Sequence, residues 1–417
     1  MKITLLTIGS RGDIQPYLAL GYGLQQAGHQ VRLGTHTEFE TLIRSYGLDF
    51  YPVKGNPREV LQSSTGQNLM RTGTDILKFL KSFREAAYDS MLDGFDDCLN
   101  ACRGSDLILY SFFVMPVGLQ ISEQLGIPSM AAWLQPFSPT GAFPTFMLPN
   151  VFLGGLLNRA THLLAEQLFW HTFKDIIYTW RRNSLGLKSA FHPFSTLQRQ
   201  RIPILNGYSR HLVPRPHDWP DWAHVTGFWF LDQPQDWQPP ADLTHFLAEG
   251  PAPICIGFGS MSDQQAAELT EIAEQALKKT QQRGLLITGW GGLQSHLKSE
   301  QIYQIEAIPH NWLFPQVAAV VHHAGAGTTA ATLRAGVPSI AVPFFGDQAF
   351  WGYRAFGMGV GPRPIPRKEL NGDRLSQAIH QAVGNKRLRE RAAHMGQQIR
   401  AEQGIQQAVK LIERYRR

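Results

Sequence analysis

Cysteine is scarce in this 417-residue chain: Cys98, Cys102 and Cys255 are the whole set. They form no Cys-x-x-Cys pair and no even-numbered framework, which argues against a disulfide-stapled secreted scaffold and makes a reducing cytoplasm the expected home. Cys98 and Cys102 are spaced for one helix face and, with no histidine nearby, read as packing. Long apolar runs are missing too. None reaches the roughly 18 residues that cross a bilayer, and the nearest, Phe146 to Leu157, is broken by Pro149 and Asn150. The opening MKITLLTIGSRGD turns polar too early for a signal peptide. Charge is modest, at 17% of residues with a net +6. No block of lysine and arginine interleaved with aromatics marks a nucleic-acid surface. A mild positive balance suits an anionic substrate or an anionic membrane surface, and equally a basic surface with no particular partner.

What is present concentrates between His322 and Trp351, HHAGAGTTAATLRAGVPSIAVPFFGDQAFW. Val317 to Val321 ahead of it is a short apolar run after Pro315 and predicts a buried strand. Gly325 and Gly327 follow as a turn, and Thr328-Thr329 opens a segment with the alanine and leucine content of a helix. Strand, glycine turn and helix start make an anion site, where free backbone N–H groups and the positive end of the helix dipole converge. His323 adds a donor there, neutral or cationic. Ser339 to Pro343 predicts the next strand, leading to Asp347 and Gln348 at the head of another helix. A carboxylate accepts from hydroxyls and an amide both donates and accepts, which is chemistry for a sugar. Gly325-x-Gly327-x-x-Ala330 also fits a dinucleotide fingerprint, with Asp347 at the distance of a ribose ligand, so a nicotinamide enzyme stays open at this point.

From the start, Lys2 to Ile8 predicts a strand, Gly9 to Asp13 a loop, and Pro16 the first turn of a helix reaching Ala27. Gln30 to Gly34 is the second strand, so a doubly wound α/β domain begins at once. Ser10 to Asp13 and His36 then project at the strands' carboxyl ends, where ligands of such sheets bind. Asp13 has two readings, a general base at a cleft or a plain cap of its helix. Residues 55 to 90 read as a polar excursion, a surface loop by default. Strands are expected at Ser105 to Tyr110, Ile127 to Ala132, Ile202 to Tyr208 and Val225 to Phe228, with a helix at Pro116 to Leu125. Phe146 to Trp180 clusters aromatic and apolar residues. Most of these read as helix packing; part can line a pocket for a greasy acceptor or touch a bilayer surface. Between Asp232 and Pro253 the chain is a linker with a short helix at Ala241 to Ala248. The same grammar then restarts: strand Ile254 to Phe258, helix Gln264 to Thr280, strand Leu285 to Thr288.

These motifs resemble the sterol 3-beta-glucosyltransferase-like family of UDP-glycosyltransferases, related to the enzymes that glycosylate glycopeptide antibiotics and rhamnolipid precursors. The likeness is carried by HHAGAGTTAATLRAGVPSIAVPFFGDQAFWG, by GSRGDIQP and by GFGSM, and extends in scattered form over nearly the whole chain. It implies a GT-B architecture, two doubly wound Rossmann-like domains facing across a cleft. Residues 1–232 would bind the acceptor, 233–252 link, 253–395 bind a nucleotide sugar, and 396–417 form a helix crossing back to the first domain.

The resemblance implies an inverting transfer of a hexose, glucose from UDP-glucose, to a hydroxyl of a lipophilic acceptor such as a sterol. Asp13 would be the general base. Donor contacts would come from Ser10, Gly12, Ser260, Trp290, Trp312, His323, Gly325, Gly327, Thr328, Thr329, Asp347 and Gln348, and acceptor contacts from Trp133, Gln135, Pro136 and Phe143. No cofactor and no metal are expected. No Asp-x-Asp occurs in the sequence, so the helix dipole and His323 would take the metal's place. The family's usual motif has glycine where this chain has Ala324, which would narrow the turn's backbone freedom. A nucleotide-sugar epimerase and a non-catalytic two-domain binding protein remain the rival classes.

Overall fold

The computed structural model describes residues 1–55, 81, 91–148, 151–232, 237–259, 263–289 and 301–415. Ser260, Trp290 and nearly all of the excursion at 55 to 90 lie outside them, as do Pro149 and Asn150. The chain divides into two compact units, Met1–Leu231 with Gln403–Arg417, and Asp232–Glu402.

In the first unit the strands are β1 (Lys2–Leu6), β2 (Gln30–Thr35), β3 (Asp49–Pro52), β4 (Leu107–Tyr110), β5 (Ser129–Trp133), β6 (Ile204–Asn206) and β7 (Ala223–Val225). They form one parallel sheet in the order β3-β2-β1-β4-β5-β6-β7. Helices are α1 (Arg11–Gln26), α2 (Glu40–Ser45), α3 (91–102), α4 (Met115–Leu125), α5 (Gly155–Asn183) and α6 (Pro193–Gln200). Order reverses between β1 and β4, where Leu6 pairs with Tyr110. A crevice for ligands forms at such a reversal, beyond the strands' carboxyl ends.

The second unit holds α7 (Ala241–Ala248), β8 (Ile254–Gly257), α8 (Asp263–Thr280), β9 (Gly284–Ile287), β10 (Ile302–Ile305), α9 (His310–Leu313), β11 (Ala319–His322), α10 (Ala326–Ala335), β12 (Ser339–Ala341), α11 (Gln348–Gly357), α12 (Gly372–Gly384) and α13 (Lys386–Ala401). Its parallel sheet runs β10-β9-β8-β11-β12, reversing between β8 and β11, where His322 pairs with Gly257. The last helix, α14 (Gly404–Arg414), belongs to the first unit. It lays Ala408, Val409 and Ile412 into the core built by Leu18, Leu20 and Leu24 of α1. Each such buried aliphatic side chain is worth about 1.5–3 kcal/mol. Gly23 of α1 faces Ile405, with no room for a methyl between them.

Several boundaries differ from the sequence reading for local reasons. β11 starts two residues later than Val317, because Pro315 winds Phe314–Gln316 into a single 3-10 turn first. β7 precedes the segment Val225 to Phe228, since Gly227 at φ +102° ends the extended run. β3 and β10 were not expected; both are outermost strands with no contiguous apolar run to announce them. The aromatic segment Phe146 to Trp180 divides along α5. Its start exposes Leu156 (89%), Leu157 and Leu164, while Phe169, Trp170, Phe173, Ile176 and Ile177 are buried, so the packing reading holds for the second half only.

Candidate active site

Beyond β1 of the first unit the chain turns at Gly9, whose φ is +130° and whose missing Cβ leaves room for the Asp13 carboxylate; a methyl there would lie 2.5 Å from Oδ2. Asp13 is the third residue of α1. Its Oδ2 accepts from the Ser10 backbone N–H at 2.8 Å and the Ser10 hydroxyl at 3.0 Å, while Thr7 Oγ1 donates to its carbonyl at 3.1 Å. Closing the helix end fixes the carboxylate at the sheet's reversal point, so the capping contact leaves the base reading open. One turn on, the buried Tyr17 donates to Ala132 O at 2.5 Å, and burial together with the negative Asp13 raises its pKa well above the usual phenol value. The Ser10 hydroxyl thus holds Asp13, and Gly12 is exposed beside it.

The neighbouring strand ends are apolar. After β4, Phe112 stacks on Phe137 and meets Trp133 edge-on, with ring centres 5.8 Å apart. Phe113, Val117, Phe169, Phe173 and Ile177 line a small apolar cleft next to them. Of the expected acceptor residues, Trp133, Pro136 and Phe143 are buried and Gln135 is half-buried. Trp133 packs in the aromatic cluster, and Phe143 meets the His162 ring edge-on. Sequence reasoning missed what straps the Phe143 loop to α5: Asn158 Nδ2 donates to Gly141 O at 2.9 Å and His162 Nε2 to Phe143 O at 3.0 Å. Asp218 adds Thr140 and the Gly141 N–H. A polar residue recurring inside an apolar helix, as Asn158 and His162 do, was the available signal.

In the second unit, α10 starts at Ala326, two residues before the expected Thr328, so Gly325 is its N-cap and Gly327 lies inside the helix. The left-handed residue of the turn is Ala324, φ +62°, and neither glycine. Among the described residues no side chain caps this end, and no acid sits in its first turn, which leaves the first amides without an intrahelical partner at the positive end of the dipole. Thr329 Oγ1 is buried with no partner among the described residues, Thr328 is half-buried, and a methyl on Gly327 would meet nothing within 4 Å.

The His323 ring lies between two glycines. A methyl on Gly325 would come within 2.5 Å of its Nε2, and one on Gly259 within 3.2 Å of its Cε1. Its Nδ1 is buried without a partner among the described residues, and burial lowers the imidazole's pKa to about 4. Burial of the ring therefore favours its neutral form. Gly289, beyond β9, packs on Gly259, so three strand ends converge here.

Beyond β12, Asp347 is the N-cap of α11 and its Oδ2 accepts from Trp351 Nε1 at 2.7 Å. Gln348 Oε1 accepts from the backbone of Phe344 at 2.7 Å and of Phe345 at 3.2 Å, which turns its amide donors away from that turn. Trp312 is half-buried and packs edge-on against Trp237 at 5.5 Å, so the structure supplies it with a protein partner.

Two domain families match the sequence: the glycosyltransferase family 28 N-terminal domain over residues 3–144, and the erythromycin biosynthesis protein CIII-like C-terminal domain over residues 294–414. Sterol 3-beta-glucosyltransferases of Aspergillus terreus and Aspergillus fumigatus are each 40% identical to the chain over 431 residues, covering 99% of it. The chain is thus similar to sterol 3-beta-glucosyltransferases over almost all of its own length. It spans 30% of the length of those two family members. Solved glycosyltransferases share the fold at low identity. CalG4, the calicheamicin glycosyltransferase, superposes with a TM-score of 0.70 at 16% identity, covering 99% of this chain and 98% of its own. SsfS6 of Streptomyces sp. SF2575, solved with thymidine diphosphate, gives 0.62 at 18% identity with 99% of each chain covered. The two parallel-sheet units are those of the GT-B architecture. No helix among the described residues is long and apolar enough to cross a membrane.

Proposed function

We propose that the chain is an inverting glycosyltransferase that moves glucose from UDP-glucose to a hydroxyl of a lipophilic acceptor such as a sterol. The observation that carries this reading is the open N-terminus of α10, with the His323 imidazole beside it and a buried Thr329 hydroxyl in its first turn that has no partner among the described residues. That is a receptor for a diphosphate. In the scheme, Asp13 takes the proton of the acceptor hydroxyl as its oxygen attacks the anomeric carbon. The bond from that carbon to the diphosphate oxygen breaks in the same step, and one displacement inverts the centre. Charge growing on the departing diphosphate is met by the α10 amides, the Thr328 and Thr329 hydroxyls and an N–H of His323. Asp347 and Gln348 accept from and donate to the sugar hydroxyls. The aromatic and apolar residues beyond β4 and β5 support a lipophilic acceptor, and the 40% identical relatives are named for a sterol.

The test is transfer, read by mass spectrometry, from UDP-, TDP- and GDP-sugars to a panel of sterols, triterpenoids and hydroxy-lipids. Glucosylated alcohol with UDP-glucose supports the proposal. Interconversion of the free nucleotide sugar with no transfer replaces it with an epimerase, and binding of UDP without either reaction replaces it with a binding protein. The exposed start of α5, with Phe152 at 74% and Leu156 at 89%, supports contact with a lipid surface that would deliver such an acceptor. Vesicle co-sedimentation unaffected by Phe152→Ser with Leu156→Ser would remove that contact.

A further inference from the structure

His322 closes β11 in full burial and engages both ring nitrogens. The Ala324 backbone N–H donates to Nδ1 at 3.1 Å. An amide nitrogen has only a proton to offer, so Nδ1 is the unprotonated position. Nε2 then carries the hydrogen and donates it to Ser339 Oγ, 2.8 Å away at the first residue of β12. The neutral ring is also the form its surroundings favour. Burial first, then His323 and His310 beside it, lower its pKa to about 3.

This bond falls on the one residue of the turn that needs it. Ala324 is fully buried at φ +62°, a left-handed conformation that a residue with a Cβ adopts only at a cost. If Ala324 relaxed to an ordinary φ, the two residues on either side would move: His323, whose ring lies between Gly259 and Gly325, and Gly325, which starts α10.

We infer that His322 is a positioning residue of the diphosphate site: its acceptor nitrogen holds Ala324 in the left-handed turn that aims His323 and sets the first amides of α10. The identity of the bound anion rests on the donor reading above; the hold on the turn does not. His322 never touches the ligand in this scheme. It acts through Ala324, and Ser339 fixes its tautomer.

The test uses the full chain, UDP as probe in calorimetric titration, and hydrogen exchange at the Ala324 amide. His322→Asn keeps an acceptor near the place of Nδ1, His322→Gln reaches towards Ser339 instead, and His322→Leu offers neither. We expect the Asn variant to bind UDP close to native strength, and the Gln and Leu variants to bind about tenfold more weakly, the worth of one hydrogen bond. Ala324→Gly placed in the Leu variant should recover most of that loss, because glycine enters the left-handed region unaided. The Ala324 amide should exchange about tenfold faster in the Leu variant than in the native protein.

A Leu variant with native thermal unfolding and native UDP affinity overturns the inference, as does an Asn variant that falls as far as Leu. Failure of the native protein to bind UDP overturns the donor reading instead, and exchange at Ala324 then decides the positioning role by itself.

Discussion

The two sheets reverse order in the same way, at β1/β4 and at β8/β11, yet the helices that leave those points begin differently. α1 is closed by its own chemistry: Asp13 in its first turn accepts from Ser10, and the positive end of the dipole is met by a carboxylate that belongs to the protein. α10 is left open, with no acid in its first turn and no side-chain cap. A helix end stabilises one anion well and a second poorly. The first unit has thus used its helix tip on a fixed acid, while the helix tip of the second carries no acid of its own. In the proposed scheme, base and leaving-group receptor are the two answers to one question, who supplies the negative charge at the helix tip.

Asp13→Asn breaks that comparison most sharply. It should reduce kcat/KM for transfer by about 10²–10⁴-fold, the usual contribution of a general base, with UDP affinity unchanged in calorimetry. A fall in UDP affinity would mean that the closed helix end also serves the donor. His323→Ala probes the open end. Losing a hydrogen bond to a charged group should weaken UDP binding about tenfold to a hundredfold, and native affinity would leave the α10 amides to do the binding alone.

Acid should act through the same buried rings. His322 and His323 have folded pKa values of about 3 and 4, against 6.5 when unfolded. The unfolded chain therefore binds more protons between those limits, so stability is full above pH 6.5 and declines as pH falls towards 4. Buried His36 and His162 of the first unit are lowered as well and act in the same direction. The thermal midpoint measured from pH 7 to 5 should fall, and fall less in His322→Asn; equal slopes would assign the effect to His323 and the rings of the first unit.

The smallest expected effects contrast two glycines. Gly9→Ala should destabilise by about 1–3 kcal/mol, since its φ is +130° and its methyl would strike Asp13. Gly327→Ala meets nothing within 4 Å and should stabilise α10 by about 0.5–1 kcal/mol, while weakening UDP binding where the phosphate approaches the backbone. Thermal unfolding with and without UDP reads both. A Gly327→Ala protein with unimpaired UDP affinity would move the phosphate away from that residue.

Much of this was legible in the residues. Alternating short apolar runs and helical stretches predict two parallel sheets, and loop glycines after strands predict where ligands bind, because period and turn chemistry are local properties of a chain. Asp347 and Trp351 stand four apart, so even their hydrogen bond follows from helix geometry. Other features were not legible. Trp133 and Phe143 read in sequence as acceptor contacts, and nothing local told that the fold buries both, since burial depends on what other segments bring.

The sequence by itself determined the repeated strand-and-helix order, the acid at the start of α1 and the glycine-rich approach to α10. All of these are set within a few residues of chain. Only the tertiary structure decided that Ala324, and neither neighbouring glycine, takes the left-handed turn, and that burial lowers the pKa of His323. The reason is that Ser339 on the next strand holds His322, His322 holds the Ala324 amide, and strand ends from three places crowd one imidazole. Hydrogen-bond partners that far apart in the chain, and the desolvation that shifts a proton's affinity, exist only once the sheet has assembled.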